Sequence, residues 1–223
     1  MKSLTRRQMA WRAALDIDDG AYVNLGIGLP TMVSDFIPRD REIVFHSENG
    51  ILGMGPAPKP GEEDKDLINA GKGLTTLVPG GAYFHHNDAF LMIRGGHLDL
   101  ALLGAFEVSE TGDLANWTTD DPNFAPGVGG AMDLAVGAKE VRAILEHVTK
   151  DGAPRIRKRC VYPLTAPQCV KRIYTNLAVM DVTEDGLLVR EIVEGIDFPR
   201  LQNVTEARLR LANDWRPLAA PEV

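Results

Sequence analysis

Only two cysteines, Cys160 and Cys169, occur in the sequence, too few and too far apart for a disulfide framework or a Cys-x-x-Cys metal site. They read as small buried or half-buried side chains, and no metal site is expected. Also missing is any apolar run approaching the ~20 residues that a membrane helix needs. The Lys/Arg-containing N-terminus has no hydrophobic core after it, so no membrane association and a cytoplasmic location are expected. Positive charge is scarce: 24 Lys and Arg against 31 Asp and Glu leave a net charge of -7, which argues against nucleic acid as the main partner. No internal repeat or low-complexity segment interrupts the chain.

What is present is ordinary for a folded protein: 223 residues, 44% hydrophobic and 25% charged, enough to bury a sizeable core. A single domain over residues 1–223 is expected. Met9, Ala13 and Ile17 share one helical face, so residues 5–17 read as a helix stopped by Asp18-Asp19-Gly20. Residues 21–25 read as a strand, Gly26-Ile27-Gly28 as a turn, and Pro30 as the first turn of a helix running to Pro38. With the apolar run at residues 43–45 this makes a βαβ unit. The Gly-x-Gly lacks the third glycine of the dinucleotide fingerprint, so nicotinamide binding is not expected. Close packing of turn on sheet, or contact with an anion, both remain open for it.

The candidate chemistry lies in Phe45-His46-Ser47-Glu48-Asn49-Gly50. An apolar run of strand length ending in polar residues places Glu48 at the carboxyl edge of a sheet, where ligands bind in open α/β folds. A carboxylate there can act as metal ligand, general base or nucleophile; an N-cap or surface turn uses the same residues. Ile51-Leu52-Gly53-Met54-Gly55-Pro56 reads as flexible, apolar backbone beside it.

Residues 53–73, with prolines near the start and Glu62-Glu63-Asp64 in the middle, read as a long loop, a length common in lids and interface segments. Further strands are expected at 74–78, 98–103, 140–145, 177–181 and 187–191, helices at 87–94, 167–174 and 204–213, and turns at Pro79-Gly80-Gly81 and Glu184-Asp185-Gly186. Residues 108–117 read as a hairpin turned at Glu110-Thr111-Gly112-Asp113. Gly127-Val128-Gly129-Gly130 opens a short helix at Ala131; backbone amides in such a turn can converge on one oxygen, and a plain tight turn needs the same glycines. Arg155 to Arg159 is a basic patch, either solvated or phosphate-binding.

In order along the chain, Val23-Asn24-Leu25-Gly26-Ile27-Gly28, Ser47-Glu48-Asn49-Gly50, Leu67-Ile68-Asn69-Ala70-Gly71-Lys72, Met92-Ile93-Arg94-Gly95-Gly96-His97, Gly112-Asp113-Leu114-Ala115-Asn116-Trp117 and the segment 127–134 resemble the B subunit of the family I CoA-transferases. Phe84-His85-His86, Gly104-Ala105-Phe106, Glu191-Ile192 and Ile196-Asp197-Phe198 look most like the members acting on 3-oxoadipate in aromatic degradation. Sister enzymes acting on acetoacetate share nearly all the motifs. Asp120-Asp121-Pro122-Asn123-Phe124 departs from the family pattern.

The resemblance implies an α/β fold with an open, mainly parallel sheet flanked by helices, similar to that of sugar-phosphate isomerases. It implies a partner, the A subunit of a CoA-transferase hetero-oligomer. It also implies CoA transfer from an acyl-CoA, succinyl-CoA foremost, to a 3-oxo acid without ATP, metal or other cofactor. The family nucleophile falls on Glu48, which would carry a covalent glutamyl-CoA thioester, and the oxyanion and CoA-binding glycines fall on Gly127, Gly129 and Gly130. Asn49, Arg94, His85 and His86 are candidates for contact with substrate. Two rivals stand beside it: a sugar-phosphate isomerase with Glu48 as general base, and a non-catalytic regulatory protein.

Overall fold

The computed structural model describes residues 3–119, 121, 123 and 125–222. Asp120, Pro122 and Phe124 of the departing segment lie outside the described residues, and its effect on the site is not assigned.

A capping box opens α1 (Arg6–Ala14): Thr5 Oγ1 accepts from the Gln8 amide and the Gln8 side chain accepts from the Thr5 amide. Met9, Ala10, Ala13 and Ala14 of this helix are buried. It stops at Ala14, short of the expected residue 17, although Ile17 still packs into the core.

Five strands form the parallel centre of a ten-stranded sheet: β1 (Tyr22–Leu25), β2 (Val44–Ser47), β5 (Leu100–Gly104), β8 (Glu140–Leu145) and β10 (Val170–Thr175), in the order β10-β8-β5-β1-β2. Leu100 to Leu103 and Val141 to Leu145 are buried almost throughout, the continuous apolar pattern of parallel strands covered on both faces. At one end β3 (Ile51–Met54) and β4 (Leu77–Tyr83) add as antiparallel strands. At the other, β11 (Ala178–Thr183) and β12 (Gly186–Val193) add antiparallel, and β13 (Leu209–Leu218) closes parallel to β12. Both edge strands carry a proline, Pro79 in β4 and Pro217 in β13, positions where a missing N–H costs no ladder bond and blunts edge pairing.

A 3₁₀ segment (Leu29–Phe36) follows β1 and packs against α1 and the sheet. The helices α2 (His86–Arg94) and α3 (Ala131–Gly137) pack on each other. A small second sheet is made of β6 (Glu107–Ser109), β7 (Leu114–Ala115) and β9 (Ile156–Arg157), in the order β7-β6-β9. The remaining helix, α4 (Phe198–Asn203), starts from the Asp197 cap.

Four expectations are corrected. The helix expected at 167–174 is the strand β10. Val170, Ile173 and Tyr174 fall at helical spacing, yet a run of β-branched and aromatic residues fits the parallel seam beside β8. The helix expected at 204–213 is replaced by β13: Leu209 and Leu211 alternate with arginines, and pairing with β12 outweighs the helix propensity of Leu, Ala and Arg. Pro79-Gly80-Gly81 lies inside β4, which begins at Leu77 and extends past the expected 74–78. Ile51 to Met54 is ordered as β3, paired on both sides by β2 and β4. The hairpin at 108–117 and the strands expected at 98–103, 140–145 and 177–181 are found, the first and last ending at Gly104 and Thr183.

Candidate functional site

Asn24 and His46 are partners in the parallel pairing of β1 and β2. Both are buried. The Asn24 amide nitrogen lies 3.1 Å from His46 Nδ1 and 3.2 Å from the His46 carbonyl oxygen, and it donates to Glu48 Oε2 at 3.0 Å. Glu48 itself is half-buried in the turn between β2 and β3. Burial holds the His46 ring below the ordinary histidine range, against the opposing pull of the Glu48 charge and the Ala89 backbone. A neutral imidazole can therefore accept from Asn24.

Each residue of Ser-Glu-Asn-Gly has its own task. Ser47 Oγ accepts from the Ala70 amide at 3.0 Å and the Asn49 side chain donates to the Ile68 carbonyl at 2.7 Å, so this pair pins the long loop beside the turn. Gly50 adopts φ 112, and a Cβ there would stand 2.2 Å from the Phe84 carbonyl oxygen; no other residue closes this turn without strain. Only Glu48 is left to face the open space.

That space is a cavity of about 510 Å³ at the carboxyl edge of the central strands. Glu48, Gly26, Gly104, Phe106, Asn116 and Arg155 are on its wall, together with Gly127 to Ala131. The expected glycine cluster therefore meets the expected carboxylate. A Cβ on Gly130 would lie 3.9 Å from Glu48 Cγ and 3.1 Å from the Phe90 ring. Gly127 donates its amide to the Trp117 carbonyl at 3.0 Å, and Gly129 has φ 53. Among the described residues, no backbone acceptor takes the amides of Gly129 and Gly130.

The other candidates stand around the site and not on the cavity wall. His85 caps α2, its Nδ1 accepting from the Asn87 amide. His86 Nδ1 donates to the Glu48 carbonyl at 2.8 Å and its ring meets Phe90 edge-on. Arg94 pairs with Asp133 at 2.6 Å and lies over Phe90; this ties α2 to α3. The basic patch divides: Arg155 reaches the cavity, Arg157 pairs with Glu206, and Lys158 and Arg159 are exposed. Cys160 and Cys169 are half-buried thiols, pushed up to about 12 and about 11 chiefly by burial, and neither is primed as a nucleophile.

Sequence reasoning missed Asn24, His46 and Asn116. Asn24 had a signal, a lone amide between Val23 and Leu25 in an apolar strand, since a buried polar side chain needs a partner. Asn116 donates to the Gly104 carbonyl and accepts from Thr165 Oγ1, holding the end of β5 at the cavity; nothing local marks it.

The architecture is an open α/β sheet with its working edge at the carboxyl ends of the parallel strands, and solved enzymes share it. The acyl-CoA transferase (YdiF) apoenzyme of Escherichia coli O157:H7 superposes with a TM-score of 0.74 at 18% identity over 97% of this chain, which spans 43% of that longer one. Glutaconate coenzyme A-transferase from Acidaminococcus fermentans gives 0.72 at 16% identity, covering 99% of this chain and 91% of that one. The decarboxylase AibA/AibB also gives 0.72, so the fold alone does not assign the reaction.

Sequence does: the profile of the Coenzyme A transferase family matches residues 6–202, and the chain belongs to that family. The B subunit of the 3-oxoadipate CoA-transferase of Pseudomonas putida is 58% identical over 204 residues, 92% of this chain and 95% of that protein. The B subunit of the probable succinyl-CoA:3-ketoacid coenzyme A transferase of Bacillus subtilis is 48% identical over 91% of this chain and 93% of its own length. Among the described residues, no helix is long and apolar enough to cross a membrane.

Proposed function

We propose that residues 1–223 form a B-subunit domain that, with the A subunit as partner, moves CoA from succinyl-CoA to 3-oxoadipate through a thioester on Glu48. The observation that carries this reading is the Glu48 carboxylate, held by buried Asn24 and beside Gly130 on the wall of the 510 Å³ cavity. The relatives named as B subunits support the partner and the substrate class.

A carboxylate oxygen of Glu48 attacks the donor thioester carbonyl, and the C–S bond breaks to release CoA thiolate and leave an acyl-glutamyl anhydride. The thiolate then attacks the glutamyl carbonyl, expelling the donor acid as its carboxylate and leaving glutamyl-CoA. The acceptor carboxylate runs the same steps in reverse and regenerates Glu48, so electrons and protons balance without ATP, metal or cofactor. In this reading the amides of Gly129 and Gly130 receive the charge that develops on a carbonyl oxygen, and Asn24 does the same on the Glu48 side; their position on the cavity wall without a backbone acceptor supports it. A carboxylate is a weak nucleophile, so binding energy from the remote part of CoA has to be used at the reacting carbonyl. Water has to be kept from anhydride and thioester alike. Arg94, His85, His86 and Asn49 brace the walls in this account, His86 through the Glu48 backbone.

The test is chemical trapping in the hetero-oligomeric complex. After addition of succinyl-CoA and borohydride, mass spectrometry should find Glu48 reduced to the alcohol, only when acyl-CoA is present. An unmodified Glu48 in a complex that binds CoA, with aldose-ketose isomerisation or with an active Glu48→Ala complex, would support the isomerase or the regulatory reading instead. Comparing 3-oxoadipate with acetoacetate then decides the acceptor; the Bacillus subtilis relative is named for 3-ketoacids, a class that holds both.

A further inference from the structure

Among the described residues, Arg155 and Arg210 bury a guanidinium nitrogen that has no partner, while the corresponding buried nitrogens of Arg12 and Arg157 face the carboxylates of Asp16 at 2.8 Å and Glu107 at 3.4 Å. Through other nitrogens Arg12 also grips Glu191, Arg157 Glu206 and Arg210 Asp185. Among the described residues Arg155 grips none. It is half-buried and on the wall of the cavity that holds Glu48. The other charged groups on that wall, Arg6 and Glu146, pair with each other at 3.5 Å. A partly desolvated guanidinium without a counter-charge is costly to keep, and its planar fork fits carboxylate and phosphate oxygens.

Its backbone is fixed. The Arg155 amide donates to the His147 carbonyl and the Arg155 carbonyl accepts from Val108, both at 3.0 Å, which holds the residue just beyond the end of β8. Glu48 stands just beyond β2, and β5 and β1 lie between these strands. Three strand spacings, roughly 14 Å, separate the ends of β8 and β2. Leu103, Ile144 and Leu145, from β5 and β8, are also on the cavity wall. A group held at Arg155 therefore belongs to the far end of a substrate whose other end is at Glu48.

We propose that Arg155 is the anion anchor of this cavity, receiving the carboxylate or phosphate oxygens that a substrate carries at a distance from the carbonyl under attack. The assignment rests on Glu48 marking the reacting end. Two sources supply such an anion, the second carboxylate of a dicarboxylic acyl group and the phosphates of CoA.

The experiment uses the hetero-oligomeric complex carrying Arg155→Ala, Arg155→Gln or Arg155→Lys, with folding checked by thermal melting. Calorimetric titration with CoA, 3′-dephospho-CoA, succinate and acetate is the readout. Arg155→Ala should weaken binding of one anion about 10- to 100-fold, the range of a lost charge-assisted pair, and Arg155→Lys should recover part of it. A loss for succinate but not acetate identifies the carboxylate. A loss for CoA alone identifies its 3′-phosphate, and equal losses for CoA and dephospho-CoA the pyrophosphate. Unchanged affinity for every probe in folded Ala and Gln complexes overturns the proposal. Borohydride trapping on the wild-type complex reports separately on Glu48, so a failure there with anion affinity still lost in Arg155→Ala would sink the nucleophile and spare the anchor.

Discussion

The buried Asn24 amide donates to Glu48 Oε2 at 3.0 Å, from the strand beside the one that delivers the glutamate. This contact sets which carboxylate oxygen is held and which is left to the cavity. Asn24→Ala should leave Glu48 in place but free to turn, lowering kcat by roughly 10²-fold, the scale of one lost oriented donor. Steady-state kinetics of the complex would measure it; a kcat within a factor of two of wild type would remove Asn24 from the site's working parts.

Glu48→Gln keeps the size of the side chain and its hydrogen bond from β1 but removes the carboxylate proposed as nucleophile. Transfer should fall by at least roughly 10⁴-fold, as losing a covalent nucleophile does elsewhere, while CoA still binds. Transfer rates together with CoA titration separate the two effects.

Gly50→Ala brings a Cβ to 2.2 Å from the Phe84 carbonyl at a φ of 112. The turn has to shift, at a cost of about 2 kcal/mol or more. Urea unfolding should show it as a lower midpoint, with transfer reduced as Glu48 moves.

His147 has no solvent exposure and lies 2.9 Å from Thr175 Oγ1 and 2.8 Å from Thr205 Oγ1. Burial lowers it to about 4 from the usual 6.5. Because the folded value is depressed, the unfolded chain binds more protons between these limits. Stability is fully present above pH 6.5 and falls as pH drops toward 4, by up to about 3 kcal/mol from this group. Chemical denaturation across that window should give a shallower pH slope for His147→Gln than for wild type.

Glu191, 3% exposed, holds Arg12 of α1 at 2.6 Å and Arg216 of β13 at 2.6 Å. Glu191→Ala leaves Arg12 buried with Asp16 as its remaining carboxylate, and should cost about 3–5 kcal/mol, the usual penalty for breaking a buried pair. Equilibrium unfolding is the check; a loss under about 1 kcal/mol would mean Asp16 suffices.

The site motifs were legible because their requirements are local. An apolar run ending in Ser-Glu-Asn-Gly has to stop where Gly50 turns, and Gly127-Val128-Gly129-Gly130 has to open a helix. The parallel centre was legible for the same reason, since its strands are continuous apolar runs. Two strands were not, β10 of the parallel centre and β13 at the edge: their segments carry helix-compatible spacing, and their strand state comes from neighbours distant in the chain.

By itself, then, the sequence determined the chemistry available: one carboxylate at a strand end, a glycine turn, and the ordered motifs of a CoA-transferase. Tertiary structure alone decided their company. Asn24 meets Glu48 because β1 pairs in register with β2, Gly130 reaches it because α2 and α3 pack together, and Arg155 joins their cavity from beyond β8. These groups come from 24, 82 and 107 residues apart in the chain, and local preferences carry no information over that distance; only the burial of a shared core brings them to one cavity.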